Sequence, residues 1–132
     1  MEQKGVKAVI YDIRDDPYFL ILRKSKNREW ELFKIALSSG ENPEDALKRE
    51  IKIRLGHPGC AIKQKLPGSF GSNGYSNEAF MVETSMNIPI KLPSESCDTY
   101  LWGKTSDVAD CLTSEEDRQI FAKAVESLKK IV

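Results

Sequence analysis

Alternation and periodicity divide the chain into short strands and two clear helices. The first apolar run, "KAVIYDI" from Lys7 to Ile13, is rich in β-branched residues and reads as a strand. "DDP" at Asp15 to Pro17 breaks it and "YFLILRKS" resumes the apolar pattern, so the two runs form a hairpin. "WELFKIAL" reads as a further short strand. "CAIKQKLPGSF", the glycine-bearing turn "GSNG" and "YSNEAFMVETS" read as two or three strands of one sheet. "NIPIKLPSES", with two prolines, is expected to be a loop with an edge segment, and "DTYLWGKT" a strand.

Between the strands a helical period takes over. Asn42 is placed to cap a helix, Pro43 suits its first turn, and Gly56 ends it. At about 100° per residue, Leu47, Ile51 and Leu55 share one side as a core stripe. Ala46, Glu50, Ile53 and Arg54 cluster on another side, with Arg49 at its margin. "TSDVADCL" makes a short helical turn, and "TSEEDRQIFAKAVESLKKIV" a long C-terminal helix. In that helix Thr113 and Glu116 match a capping box, and Ile120, Ala124, Leu128 and Ile131 form the apolar stripe. The order strands, helix, strands, helix predicts a mixed α/β fold with a central sheet and flanking helices.

Composition narrows the function classes. A length of 132 residues suits a single domain over 1–132, and 40% apolar with 30% charged residues is ordinary globular usage. Acidic and basic residues balance at 20 each, which argues against a general attraction for nucleic acid. No stretch approaches the ~20 apolar residues that cross a bilayer, and "MEQKGVKAVIYD" is too charged for a signal peptide. Cys60, Cys97 and Cys111 are widely spaced and match neither a zinc pattern nor a disulfide framework, so reduced thiols in the cytoplasm are expected.

The stretch from Trp30 to Gly56 resembles the Nudix hydrolases. Their signature is Gly, five residues, Glu, seven residues, Arg-Glu, an apolar residue, any residue, Glu-Glu, any residue, Gly. With Arg49-Glu50 on the Arg-Glu pair, Glu41 falls on the upstream Glu, Ile51 on the apolar position and Gly56 on the closing Gly. "WELFK" stands where the family often has Trp, an apolar residue, Pro and Lys or Gly, with Phe33 in the proline slot. "YSNEAFMV" and "LWGKTSDVADCLTSEEDRQIF" agree loosely with the family's later strands, turn and helix. The resemblance implies a Nudix-like α/β/α sandwich with a mixed central sheet.

This chain departs from the signature where the chemistry resides. The first Gly is Ile35, and the Glu-Glu pair is Ile53-Arg54. In the family the Arg-Glu glutamate and the following pair hold magnesium ions that bridge a diphosphate. Magnesium wants hard oxygen ligands in near-octahedral geometry. Of those three carboxylates only Glu50 remains. Three readings of this face are open. Glu50 and Arg54 can be a solvated i,i+4 pair worth roughly 0.2–0.5 kcal/mol. Arg54 can instead serve an anion or nucleotide site, since guanidinium binds phosphate through two parallel hydrogen bonds. Thirdly, metal-dependent hydrolysis can survive on Glu50, Glu41 and a remote carboxylate.

The leading expectation is a protein that binds a nucleotide or phosphorylated small molecule with little or no hydrolysis. Its ligand-binding residues would be Arg54, Arg49, Lys34 and Glu41, and no cofactor is expected. If the hydrolase alternative holds, Glu50 is the catalytic and metal-binding residue and Mg2+ the cofactor. A structural or regulatory interaction module, working as a homodimer or through a partner surface, is the third class. Gly68, Gly71 and Gly74 lack the ending of a phosphate-binding loop and suit a hairpin turn. Phe70, Tyr75 and Trp102 can stack on a base but suit packing better. His57 has no sequence partner for nucleophilic catalysis, and Glu78, Glu83, Glu115 and Glu116 are candidates for a remote carboxylate.

Overall fold

The computed structural model describes residues 3–57, 59–72, 75–92 and 96–131. In chain order these form β1 (Gln3–Ile13), β2 (Pro17–Lys24), β3 (Trp30–Glu31), β4 (Phe33–Ala36), α1 (Pro43–Arg54), β5 (Ala61–Lys65), β6 (Phe70–Ser72), β7 (Tyr75–Glu83), β8 (Cys97–Gly103), α2 (Thr105–Cys111) and α3 (Glu115–Ile131). All the strands belong to one sheet, with β3-β2-β1-β7-β5 as its spine. β1 and β7 are parallel, from Gln3↔Tyr75 to Tyr11↔Glu83, and the other pairings are antiparallel.

β1 is the element on which the sheet is assembled. It starts at Gln3, four residues before its apolar run, because the ladder to β7 and the Gly5–Ala8 pairing with β4 hold its backbone on both edges. Gly5 is needed there, since a Cβ would collide with the Asn77 side chain of β7. Alternation along the strand then sorts two cores. Val6, Ala8 and Ile10 pack with Leu20, Leu22, Phe80 and Val82 beneath α1, while Val9 and Tyr11 pack with Phe19, Ile21, Ala79 and Met81 beneath α3. Helices thus cover both faces, giving the α/β/α sandwich.

α1 follows its sequence signals. The Asn42 side chain accepts from the Asp45 amide at 3.1 Å, Pro43 opens the helix, and Gly56 leaves it at φ 63°. Leu47, Ile51 and Leu55 are buried as expected, but Ala46 joins them in the core rather than sharing a face with Glu50. Ile53 is 60% exposed. Its position therefore carries no packing role.

Three expectations differ from the structure for identifiable reasons. "WELFKIAL" is two strands, because the chain crosses at Leu32 from β2 as partner to β1. α3 is capped one residue later than the pattern indicates: Ser114 Oγ accepts from the Asp117 amide at 3.1 Å, and Thr113 Oγ1 accepts from the Trp30 amide instead. No strand forms among the described residues of 86–92. There the Lys91 amide bonds the Leu55 carbonyl at 2.8 Å, which ties the loop to the end of α1. Of the three glycines expected at a hairpin turn, Gly68 has φ 88°, Gly71 lies in β6, and Gly74 is outside the described residues, as are the side chains of Tyr75 and Ile131.

Because Leu47 and Ile51 are essentially fully buried under α1, Leu47→Ala or Ile51→Ala should each lower unfolding free energy by about 2–5 kcal/mol in urea denaturation. A loss below ~1 kcal/mol at both sites would contradict the packing described.

Candidate functional site

The site arises where β1 and β2 part. They pair only from Ile10↔Leu20 to Ile13↔Pro17, and beyond that β3 and β4 fill the gap, with Glu31 beside Leu22 and Phe33 beside Ala8. The divergence leaves a cleft of about 600 Å³, bordered by β2, β3, β4, the start of β8 and the last residue of α1. Its size is ordinary for a small-molecule site. Its charge is not, because Lys7, Lys24, Lys26, Lys34 and Arg54 all line it and Glu31 is the one acidic residue among the described lining residues.

Lys7 is the buried member of this set, and its charge is already answered. Its Nζ lies 2.6 Å from Asp117 Oδ1 and also pairs with Glu116, both from the first turn of α3. Burial opposes the charge on Lys7, but the two carboxylates more than offset it and hold its pKa above the ordinary value. Asp117 Oδ2 accepts from the Leu32 amide at 3.0 Å, and Glu116 accepts from Asn77 Nδ2 at 3.3 Å. The N-terminus of α3 favours carboxylates there.

The other cations remain available to a ligand. Arg54, closing α1, donates from Nη1 to the Lys34 carbonyl at 3.3 Å and sits 5.4 Å above the Phe33 ring. This fixes the guanidinium at the cleft rim and leaves it further N–H donors. Lys24 Nζ and Lys34 Nζ stand 3.9 and 3.8 Å from Glu31 Oε1, too far for hydrogen bonds. Glu31 Oε1 is buried and has no hydrogen-bond partner among the described residues. Burial raises the pKa of Glu31, and the flanking lysines only partly counter it.

The candidate residues from the sequence separate into two groups. Lys34 and Arg54 line the cleft. Glu41, Arg49 and Glu50 do not; they form a chain along the surface of α1. Arg49 Nη1 is 2.6 Å from Glu41 Oε2, its Nε is 3.3 Å from Glu50 Oε2, and Glu41 Oε1 accepts from the Ser38 amide at 3.0 Å. The Ser38 amide and then Arg49 depress the Glu41 pKa. No ion pair joins Glu50 to Arg54, because Glu50 is engaged by Arg49 and Arg54 turns toward Phe33.

The remaining candidates have structural partners. His57 is buried, its Nε2 donating to the Ser85 carbonyl at 3.0 Å and its Nδ1 2.9 Å from the Thr84 hydroxyl. Glu78 pairs with Lys65, Glu83 with Lys63, and Glu115 accepts from Gln119. Phe70 and Trp102 pack against the cores. The pattern along the chain missed Lys7, Lys24, Lys26 and Glu31. Lys7, a cation inside an apolar strand run, was the one visible signal among them.

The donor set does not fit the magnesium centre that the box implies. At the three helix positions stand Glu50, held by Arg49, an exposed isoleucine and an arginine. No group of three or more His, Cys, Asp or Glu able to hold a metal occurs among the described residues.

No family model matches the chain, and no curated protein matches it in sequence. Solved structures do match. A C. elegans Ap4A hydrolase binary complex is 20% identical and superposes with a TM-score of 0.80 over 97% of this chain and 98% of that one. The NUDIX domain of Shewanella oneidensis NrtR, complexed with ADP ribose, gives 0.72 at 14% identity over 97% and 89%. The C-terminal domain of mouse MUTYH, in complex with human PCNA, gives 0.71 at 14% identity over 98% and 91%. The chain has the Nudix fold.

Glu31 gives a pH-dependent prediction. Its folded pKa lies above the ordinary 4.5, so between the two values the folded state binds more protons and stability falls as pH rises. Glu31→Gln should therefore raise Tm at pH 7, with the gain shrinking as pH is lowered to ~4. Calorimetry at several pH values measures this, and a pH-independent shift would contradict it.

Proposed function

We propose that this Nudix-fold chain binds a phosphate-bearing small molecule, in the first instance a nucleotide, in the basic cleft, with little or no hydrolysis of it. The observation that carries the reading is the charge of the cleft. With Lys7 paired to Asp117 and Glu116, the lining keeps four further cations, Lys24, Lys26, Lys34 and Arg54, against Glu31 as the one acidic residue among the described lining residues. At an effective dielectric near 20, a cation ~4 Å from a phosphate charge contributes ~4 kcal/mol before desolvation. Positions 53 and 54 carry −2 in the Nudix signature and +1 here, a swing of three units toward anions. That swing reverses the preferred partner from metal cation to phosphate.

Arg54 and Lys34 are the leading contacts in this reading. Glu41, Arg49 and Glu50 form an ion-paired chain outside the cleft and are not contacts in this reading. ADP ribose, bound by one fold neighbour, and Ap4A, in the name of the hydrolase that is another, support the chemical class. No helix among the described residues is long and apolar enough to cross a membrane. A cytoplasmic setting with reduced thiols belongs to the same proposal. A protein-interaction role is favoured by one observation, the 60% exposed Ile53 beside the cleft-lining Arg54, on a fold that in the MUTYH domain meets a protein partner.

Calorimetric titration with ADP and GDP in the presence of EDTA tests the binding reading. Both nucleotides should bind without a divalent metal, and Arg54→Glu should weaken them more than tenfold while leaving the melting transition cooperative. Binding that requires magnesium, or that is unchanged in Arg54→Glu, would overturn it.

Hydrolysis of nucleoside diphosphate derivatives with magnesium should remain at background. Turnover in the ordinary enzyme range of ~1–10³ per second, abolished by Glu50→Gln, would establish the hydrolase alternative instead.

A further inference from the structure

The Glu31 carboxylate is out of place in a cleft built only for phosphate. A negative charge beside Lys24 and Lys34 weakens anion binding, and burial of Oε1 without a hydrogen bond is unfavourable in the folded protein, while the side chain as a whole keeps 14% exposure. Its backbone is fixed by pairing with Leu22, so the side chain is held against the cleft wall. The lysines supply charge at 3.8–3.9 Å but no hydrogen bond to Oε1. A divalent cation does not suit the position, because a single carboxylate flanked by two ammonium groups repels it more than it coordinates it. A neutral N–H or O–H donor suits it well, since a carboxylate accepts such bonds strongly when shielded from water.

From this we propose, resting on the nucleotide reading of the cleft, that Glu31 is its specificity residue. It accepts a hydrogen bond from an N–H or O–H donor on the uncharged, nucleoside part of the ligand, while the surrounding cations hold the phosphates. The ligand class is thereby narrowed from any phosphorylated compound to one carrying phosphate and a donor-bearing nucleoside together. Bare pyrophosphate meets only the cations and is penalised by Glu31. A nucleoside diphosphate turns the same carboxylate into a partner. Guanine fits this environment well, as its N1–H and N2–H donors lie side by side, and the ribose hydroxyls are the other source of donors.

The opposite signs of these two effects provide the test. Titrations of the intact protein with inorganic pyrophosphate, ADP and GDP, all in EDTA, are compared for the parent, Glu31→Leu and Glu31→Gln. Glu31→Leu should bind pyrophosphate as tightly as the parent or tighter. It should bind the preferred nucleotide at least tenfold more weakly, the loss expected for a hydrogen bond to a charged group. Glu31→Gln keeps a carbonyl acceptor and should recover part of the nucleotide preference, which separates a lost contact from a damaged fold. If Glu31→Leu strengthens all three ligands, or weakens all three in proportion, Glu31 is only a charge or a packing element and the inference is overturned. Pyrophosphate binding the parent as tightly as either nucleotide would overturn it too, while leaving the basic cleft as an anion site. Absence of binding by all three to the parent would remove the nucleotide reading and this inference with it.

Discussion

The ion cluster of Lys7 with Glu116 and Asp117 is the constraint around which the rest of the structure is arranged. An ammonium this deeply buried is costly unless it is paired and hydrogen-bonded, and removing one partner of such a pair typically costs about 3–5 kcal/mol. Here the partners are supplied by the first turn of α3, more than 100 residues away in sequence. The same two carboxylates take the Leu32 amide and the Asn77 side chain, so one cluster fixes α3, β1, β7 and the β3–β4 crossing to one another. The crossing at Leu32 is what keeps β1 and β2 apart. The cleft depends on that separation.

A second consequence concerns charge. Lys7 meets two carboxylates from behind, so within the lining the cations at the rim stand against Glu31, the one acidic residue among the described lining residues, with Asp117 behind it also acting on Glu31. Those cations come from separate places: the end of β2 and the turn after it, the exposed side of β4, and the last turn of α1. Arg54 gains its orientation from Phe33 and the Lys34 carbonyl rather than from the carboxylate one turn before it. The aromatic that stands in the proline slot of the signature therefore acts as the seat for the guanidinium that stands in a glutamate slot. The two departures from the signature are physically one feature.

Read from the residues alone, local structure was largely determined. The cap at Asn42, the stop at Gly56, the buried stripe of Leu47, Ile51 and Leu55, and the order of strands and helices all depend on short-range chemistry. The sandwich and the Nudix likeness followed from those pieces and from the spacing of Glu41, Arg49, Glu50 and Gly56. Lys34 and Arg54 were also visible in advance, because the signature singles out their positions and an arginine among expected glutamates stands out.

Tertiary structure decided what those side chains do. Whether Arg54 pairs with Glu50 or rests on Phe33 is settled by an element twenty residues away, and the i,i+4 rule sees only the helix. The cap of α3 falls at Ser114 because Asp117 must face Lys7, while Thr113 is drawn to Trp30, preferences that a local capping pattern does not contain. Glu31 looked like any surface glutamate in a short strand. It became a half-buried carboxylate with an unbonded Oε1 only when the parting of β1 and β2 placed it among lysines from other strands, for a cleft is made by the register between strands and not by any one of them.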